Sequence, residues 1–207
     1  MTSEELRQLT ASEPLTLEEE YEMQQKWQID EDKLTFIILS RENGPLAATT
    51  EENIKPTDPR LSECPMVGDV NLFLSGTLQD LQAPLVIRSA TEDMDPSGPE
   101  LEEENESHAE VEIMIAEPAY RRKGYALEAL QLMLEYGTGH KLGPVSPITV
   151  TSESLQTVES PLKISPTRLL TRIAEDNVPS VRLFEKLGFH VTKRVSVFQE
   201  IELRWRS

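Results

Sequence analysis

The run of residues 110–136 constrains the fold more than any other part of this 207-residue chain. It opens with a β-prone stretch at 110–116 and continues into a predicted helix at 124–136, where apolar residues recur at helical spacing. A basic turn at 121–124 joins the two. Further strands lie on both sides of this unit. The chain is therefore predicted to be α/β (α+β), with a central sheet and helices on its faces.

The remaining elements are predicted from periodicity, caps and turn residues. Strands are expected at 34–39, 66–74, 169–174, 189–197 and 198–203, and helices at 18–28 and 179–186, with a short helix around Leu6 and Leu9. Gly137 and Gly188 are expected to follow the ends of helices. Tyr21 and Trp27 lie on the apolar stripe of helix 18–28 and are expected in the core.

The length suits a single domain over residues 1–207. Two segments, within 91–108 and 138–166, are rich in turn-forming residues, the first also in acidic ones, and both lack helical or strand periodicity. Because predicted strands lie on both sides of each segment, they are predicted to be disordered loops inside the domain.

The charge balance limits the partners. The chain has 20 basic and 37 acidic residues, a net charge of −17. Nucleic acid and anionic membranes both need a basic face, so neither is expected as a partner. A cationic partner such as an amine suits the charge, although acidic loops that keep the protein soluble account for most of it.

Cysteine and histidine usage points away from disulfides and metals. The chain has one cysteine, Cys64, so no internal disulfide is possible and a reducing compartment is favoured. The three histidines are scattered and form no metal-ligand spacing. No apolar run approaches a membrane span. A soluble, cytoplasmic protein without a metal is expected.

The basic turn has the features of an anion site. A helix N-terminus offers unpaired backbone N–H groups and the positive end of its dipole, which suit a pyrophosphate. Gly124 lacks a Cβ and permits close backbone approach, and Ala126 is small. Arg121, Arg122 and Lys123 add positive charge. An ordinary solvated turn explains the same residues equally well, so the turn alone does not decide.

Wider motifs resemble the GNAT acetyltransferase superfamily. Its coenzyme-A turn, Gln/Arg-x-x-Gly-x-Gly/Ala, is matched by Arg121, Gly124 and Ala126. A second motif, Asn-x-x-Ser/Ala followed by Lys-Leu-Gly-Phe, is matched at 177–180 and 186–189. Stretches at 3–6, 9–18, 67–74 and 196–200 extend the resemblance to the N-acetyltransferase 9 branch. That branch is associated with acetylating protein N-terminal α-amines, with tubulin as the named substrate.

The resemblance implies a GNAT-like mixed sheet with acetyl-CoA as cosubstrate, the strand at 110–116 splaying from the one at 169–174. Its implied cofactor-binding residues are Met114, Ile115, Ala116, Arg121, Arg122, Lys123, Gly124, Tyr125, Ala126, Asn177, Ser180, Phe184 and Lys186. The free strand edge near Met114–Ala116 is expected to hold the pantetheine arm and polarise the thioester carbonyl.

Glu110 and Glu112 are the candidate catalytic bases. Strand geometry places both on one face, with Val111, Ile113 and Ile115 on the other. Burial would raise the pKa of such a carboxyl and let it accept a proton. The alternative is that Glu110 only pairs with a cation or faces solvent at the strand start.

Two departures from the family keep other functions open. The family's first strand is expected to be absent, which would leave strand 34–39 at an edge and lower the activity of this short form. Phe184 stands where many members have a Tyr that protonates the leaving thiolate. A non-catalytic module that binds coenzyme A or tubulin is therefore the alternative, and polyamine acetylation is a third.

Overall fold

Six strands and five α-helices form among the residues that the computed structural model describes, which are 14–42, 44, 54–84, 106–141 and 160–206. The strands are β1 (Lys33–Leu39), β2 (Met66–Ser75), β3 (His108–Ile115), β4 (Leu169–Ala174), β5 (Phe189–Val195) and β6 (Glu200–Trp205). The helices are α1 (Leu17–Ile29), α2 (Pro59–Ser62), α3 (Leu78–Gln82), α4 (Tyr125–Thr138) and α5 (Val178–Lys186). The mixed α/β class predicted from the sequence is confirmed.

The strands form one mixed sheet in the order β1-β2-β3-β4-β6-β5. Neighbours run antiparallel except for β3 and β4, which are parallel and connected through α4. A parallel pair needs such a crossover, because a tight turn cannot return the chain to the same end of the sheet. β1 lies at an edge of the described sheet, and its Phe36 and Ile37 are exposed.

One face of the sheet carries the core. Val111 of β3, Leu72 of β2 and Leu203 of β6 are buried there against Leu130 of α4 and Phe184 of α5. The alternation along β3 explains this face, since Ala109 and Val111 are buried while Glu110 and Glu112 point to the other side. The predicted division of β3 into an apolar face and a carboxylate face is confirmed.

Helix α1 lies over the opposite face of the sheet. Trp27 meets Phe73 of β2 edge-on, with 5.9 Å between ring centroids, and the ammonium group of Lys33 lies over the Trp27 ring at 5.2 Å. The N-terminus of α1 is closed by a capping box between Thr16 and Glu19. Helices on both faces of the sheet were predicted, and the structure confirms them.

The core role predicted for α1 is wrong. None of its residues is buried; Tyr21 is 62% exposed and Leu17 is 66% exposed, and Trp27 is half-buried. The apolar spacing was read correctly, but this helix touches the sheet mainly near its C-terminal end, where Trp27 meets Phe73. Helical periodicity indicates which residues share a face, not whether another element covers that face.

Several boundaries differ from the prediction, most clearly at the end of α4 and at the final hairpin. Gly137 lies inside α4, which ends with Gly139 in the left-handed conformation (φ 77°); the hydroxyl of Thr138 donates to the Leu134 carbonyl in this last turn. The final hairpin turns at residues 196–199 with Gln199 at φ 53°, so β6 begins at Glu200 rather than at residue 198. No Gly or Pro marks that turn in the sequence.

The short helices α2 and α3 were not predicted, although each has a clear N-cap. Asp58 accepts a hydrogen bond from the Arg60 backbone, and Thr77 accepts one from the Asp80 backbone. At the C-terminal end of segment 138–166, Ser160 and Ile164 are buried and pack beside α4. The short helix around Leu6 and Leu9, and residues 91–105 and 142–159 of the two predicted loops, lie outside the described residues.

Candidate functional site

A cleft opens where β3 and β4 separate. The two strands pair only through Ala109 with Leu169 and Glu110 with Leu170, although β3 continues to Ile115 and β4 to Ala174. The splay expected between these strands is confirmed. The resulting cleft has a volume of about 730 Å³, and β3, β4, α5 and the turn before β6 contribute its walls.

The turn before α4 lies at the same end of the sheet, since it follows the C-terminal end of β3. Gly124 is the N-cap residue of α4 and has φ 96°, a left-handed conformation that favours glycine. It offers no side chain to cap the helix, and a Cβ built on it would meet nothing within 4 Å. The glycine is thus required by backbone conformation, and the space in front of the helix N-terminus is open.

The three basic residues of the turn have different surroundings. Arg121 folds back on β3, where its Nε donates to the Ile115 carbonyl at 3.0 Å and a terminal nitrogen to the Ala116 carbonyl at 3.4 Å. Arg122, at φ 64°, and Lys123 are exposed. The three residues were predicted to form one basic cluster. In the structure, the Arg121 side chain instead stabilises the turn through its hydrogen bonds to backbone carbonyls.

The first residues of α4 are packed beside this turn. The Tyr125 hydroxyl lies 2.7 Å from the hydroxyl of Ser40, which is buried at the end of β1. The Tyr125 ring also meets Tyr120 edge-on, at 5.6 Å between centroids. Ala126 is half-buried. These contacts hold the helix N-terminus in place against the sheet.

The second motif brings Asn177, Ser180 and Phe184 to the cleft. Asn177 is the N-cap residue of α5, and its side-chain oxygen accepts from the Ser180 backbone at 3.3 Å. Phe184 is 2% exposed and packs edge-on against Phe189. Lys186 lies exposed in the last turn of α5 and is not among the residues that line the cleft.

Glu110 lies at the closed end of the cleft in an ion pair. A terminal guanidinium nitrogen of Arg172 donates to a Glu110 carboxylate oxygen at 2.5 Å. Burial raises the pKa of Glu110, and the nearby charge of Arg172 opposes that rise. The cation partner considered as the alternative for Glu110 is therefore present.

Glu112 lies two residues farther along the same face and remains accessible from the cleft. Desolvation by the surrounding groups raises the pKa of Glu112 to about 7. The carboxylates of Glu110, Asp69 and Glu200 add to this increase. No hydrogen bond or ion pair links the Glu112 carboxyl to another of the residues that the structure describes. A carboxyl with this pKa can exchange a proton near neutral pH.

Asp69 was not identified from the sequence. It lies on β2, diagonal to Glu112 across the strand pair, because Asn71 is opposite Glu112 and Asp69 is opposite Met114. The Asn71 amide donates to Asp69 at 2.7 Å and accepts from the Thr35 hydroxyl at 2.7 Å. Burial raises the pKa of Asp69. Only the strand register brings this residue to the carboxylate face.

Other cleft residues were also missed by the sequence reasoning. They include Thr171 and Arg172 of β4, and Phe198, Gln199 and Glu200 beside the final hairpin turn. Residues 198–200 lie in a stretch that supports the family resemblance, but that resemblance gave them no role in the site. The positions of all five residues depend on how β6 pairs with β4. Alternation along 169–174 could have predicted that Arg172 lies on the polar face, but it could not have identified Glu110 as its ion-pair partner.

Within the described ranges, no group of three or more His, Cys, Asp and Glu side chains is arranged to hold a metal ion. Among the described helices, none has the length and apolar character needed to cross a membrane.

Comparison with known proteins identifies the family. A model described as the acetyltransferase (GNAT) domain matches residues 86–190. A spermidine N-acetyltransferase variant from Vibrio cholerae has a similar fold, with a TM-score of 0.50 at 15% identity over 92% of this chain and 75% of that one. The chain belongs to the GNAT acetyltransferase family.

Sequence relatives narrow this assignment to the N-acetyltransferase 9 group. "Alpha/beta-tubulin-N-acetyltransferase 9" is 39% identical in Homo sapiens, over 99% of this chain and 70% of that protein, and 38% identical in Mus musculus, over 99% and 60%. "N-acetyltransferase 9-like protein" of Schizosaccharomyces pombe is 37% identical over 98% of this chain and 83% of its own length. The chain thus spans about 60% of the mouse relative.

Proposed function

We propose that this domain transfers the acetyl group of acetyl-CoA to the N-terminal α-amine of a protein, and that tubulin is the acceptor. The acceptor named for the human and mouse relatives supports tubulin. The observation that carries the proposal is the Glu112 carboxyl, which faces the cleft with a pKa of about 7 and can accept the proton of an acceptor ammonium. We therefore assign Glu112 as the base, and not Glu110, which is paired with Arg172.

The residues around the turn fit acetyl-CoA. Open space in front of α4 and the exposed cations of Arg122 and Lys123 suit a pyrophosphate, which the backbone N–H groups of Tyr125 and Ala126 would also bind. The edge of β3 at 114–116, which is not paired with β4, would hold the pantetheine arm. Bound there, acetyl-CoA supplies a thioester whose acetyl group an amine nitrogen can attack directly.

Within the cleft, Glu112 would take a proton from the acceptor ammonium and release the nitrogen lone pair. An α-ammonium group has a pKa of about 7.7–8.0, so transfer to a carboxylate of pKa about 7 costs only ~1.4 kcal/mol. Transfer to an ordinary glutamate, with a pKa of about 4.3, would cost ~5 kcal/mol. The raised pKa of Glu112 therefore makes it a useful base for this proton.

The same arithmetic separates an α-amine from a lysine side chain. A lysine ammonium has a pKa of about 10.4, so its proton transfer to Glu112 costs ~4.6 kcal/mol, about 3 kcal/mol more than for an α-amine. A polyamine resembles lysine in this respect. This difference comes from the pKa values of the two amines, and it favours an N-terminal α-amine when both kinds of amine are offered.

The decisive experiment offers the purified protein acetyl-CoA with matched peptides. One peptide carries the tubulin N-terminal sequence with a free α-amine and an internal lysine, and its control has the same sequence with a blocked α-amine. Mass spectrometry is expected to locate the acetyl group on the α-amine of the first peptide, with little product from the second. Acetylation of the lysine alone, or of spermidine in preference to both peptides, would contradict the proposal.

A non-catalytic binding module is the second candidate, and Phe184 is the observation that favours it. Its ring is buried and brings no proton to the cleft, where the hydroxyl-bearing residues are Thr171 and Ser180. Native mass spectrometry separates the two functions. Bound coenzyme A without turnover on any amine would favour the module.

A further inference from the structure

Glu110 and Glu112 are chemically identical side chains on one face of β3, yet their surroundings differ. Successive residues on a strand face are separated by about 7 Å, so both carboxylates can reach the same cleft. Glu110 has a close cationic partner in Arg172, whereas Glu112 has no ion pair with any of the described residues. The difference therefore comes from the neighbouring strand, not from β3 itself.

Arg172 is held in position by a row of alternating charges across three strands. Its second terminal nitrogen lies 3.4 Å from a carboxylate oxygen of Glu202 on β6. Glu202 accepts from the Nε of Arg204 at 2.8 Å, and Arg204 in turn pairs with Glu106 at 2.7 Å. Burial acts to raise the pKa of Glu202, but the hydrogen bond and charge of Arg204, with Arg172, hold it below its ordinary value.

We propose that Arg172 is a positioning residue that keeps Glu110 in an ion pair and thereby leaves Glu112 as the carboxylate that meets the acceptor amine. This inference rests on the proposed function and assigns roles within the same site. Arg172 itself makes no contact with the reacting amine in this arrangement. It acts through the position and charge of Glu110.

The proposed step moves one proton from the acceptor ammonium to the Glu112 carboxylate. One N–H bond of the acceptor ammonium breaks and one O–H bond forms on Glu112, which becomes neutral while the amine gains a free lone pair. Glu110 is paired with Arg172, whose charge favours the ionised form of Glu110 and opposes the effect of burial. A second protonatable carboxylate at the closed end of the cleft would compete for the proton that Glu112 takes.

The charges around both carboxyls come from several elements. Glu112 faces Glu110 on its own strand, Asp69 on β2 and Glu200 on β6, and all three raise its pKa. Glu110 faces His108 on its own strand, Arg172 on β4 and Glu202 on β6. Arg172 is the cation nearest to Glu110, and both Arg172 and His108 act to lower the pKa of Glu110. Removing the charge of Arg172 should raise the pKa of Glu110. At pH values where Glu110 is still ionised, its negative charge beside Glu112 is then uncompensated, which raises the pKa of Glu112.

The test compares Arg172→Gln, Arg172→Lys and Glu110→Gln with the unmodified protein by measuring kcat/KM from pH 5.5 to 9.5. A base acts when deprotonated, so activity should rise with pH through the pKa of Glu112. We call this rise of kcat/KM with pH the acidic limb of the profile. Arg172→Gln should move the midpoint of the acidic limb to higher pH by about one unit, so that activity lost at pH 7 returns at alkaline pH. Arg172→Lys keeps the charge and should restore most of the original profile.

Glu110→Gln is expected to remain active and to move the limb to lower pH, because it removes one negative charge beside Glu112. Two results would overturn the assignment. One is a Glu110→Gln variant as inactive as Glu112→Gln. The other is an Arg172→Gln variant whose rate falls by the same factor at every pH, which is what a purely structural role predicts.

A titration without any acceptor keeps this inference separate from the proposed function. Carboxyl carbons of labelled glutamates are followed by NMR, and the Glu112 signal is the one missing from Glu112→Gln. Its midpoint is expected near pH 7 and should rise in Arg172→Gln, with circular dichroism confirming that each variant is folded. An unchanged midpoint overturns the role of Arg172, whereas absence of turnover with a shifted midpoint rejects only the acetyl-transfer proposal.

Discussion

The turn before α4 and the carboxylates on β3 are the two halves of the candidate site, and they are built differently. The turn depends on a few consecutive residues, with Gly124 at φ 96° directly before the free helix N-terminus. The carboxylate half depends on other strands, since Asp69 and Glu200 affect Glu112 while Arg172 pairs with Glu110. Local backbone conformation makes the first half, and strand packing makes the second.

The comparison shows why similar side chains can have different chemistry. Glu110 and Glu112 are two residues apart, and no sequence rule separates them. Their difference arises because the Arg172 guanidinium reaches one carboxylate and not the other. Substitutions in the turn should therefore affect cofactor binding, whereas substitutions among the carboxylates should affect proton transfer.

The largest effect is expected from Glu112→Gln, which keeps the size of the side chain but cannot accept the proton. Loss of a general base lowers kcat by about 10²–10⁴-fold. Affinity for acetyl-CoA should change little, because the turn is separate from this carboxyl. Steady-state kinetics and calorimetric titration on the same preparation measure the two quantities.

The matched control is Glu185→Gln, on the exposed side of α5. It should leave both quantities near their original values. If Glu112→Gln lost less than tenfold in kcat, Glu112 would not be the base and the division between the two halves would fail.

Gly124→Asp is expected to lower acetyl-CoA affinity by at least about tenfold, or ~1.4 kcal/mol. The added carboxylate would compete with a pyrophosphate for the helix N–H groups and repel its charge. Gly124→Ala tests the backbone part alone. Calorimetric titration of each variant gives the dissociation constant.

Gly139→Ala is the control for backbone strain, because Gly139 has φ 77° at the other end of α4. A left-handed conformation costs an alanine about 1–2 kcal/mol at either position. Both alanine variants should lose thermal stability to a similar degree, but only the change at Gly124 should touch cofactor binding. Equal affinity for acetyl-CoA in Gly124→Asp and the unmodified protein would remove the turn from the site.

Asn177→Ala is expected to have a smaller effect. Its side-chain oxygen caps α5, so its loss costs about 1 kcal/mol of stability. If the side chain also binds the pantetheine arm, one neutral hydrogen bond adds about 0.5–1.5 kcal/mol, roughly two- to thirteenfold in KM for acetyl-CoA.

Asn177→Asp retains an oxygen that can cap the helix, and so separates stability from binding. The Asn177→Asp variant should have the melting temperature of the unmodified protein, while its KM for acetyl-CoA should remain above that of the unmodified protein. A KM that follows only the melting temperature would assign Asn177 to capping alone. Ser180→Ala, at the same end of α5, should cause a loss of similar size.

The smallest effect is on stability. The pKa of Glu112 rises from 4.5 to about 7 in the folded protein, so folding favours its protonated form. This preference contributes to the free energy of unfolding fully below about pH 4.5, and the contribution is lost as pH rises through about 7. Glu112→Gln should therefore raise Tm at pH 8 but not at pH 4.

Because Glu112 is accessible to solvent, Glu112→Gln should raise the free energy of unfolding at pH 8 by about 1 kcal/mol or less. For a domain of this size, that corresponds to a rise in Tm of at most roughly 2–4 °C. Differential scanning calorimetry at both pH values measures it. A Tm difference of the same size at pH 4 would mean that the substitution acts through packing instead of charge.

Much of the fold was predictable because its signals are local. Helix α5 was placed by Asn177, Pro179 and Gly188, whose cap, N-terminal proline and left-handed backbone each act within a few residues. The start of β6 was misplaced because a left-handed Gln199 makes a turn without a glycine. The exposure of α1 was misjudged because periodicity does not reveal what packs on a helix.

The sequence by itself determined the βα unit, the glycine turn at Gly124 and the common face of Glu110 and Glu112. Each follows from φ preferences and from the period of a strand, which neighbouring residues alone impose. Only the tertiary structure decided that Arg172 meets Glu110, and that Asp69 and Glu200 surround Glu112. Strand order and register set those distances, and electrostatic interactions depend on distance in space rather than on separation along the chain.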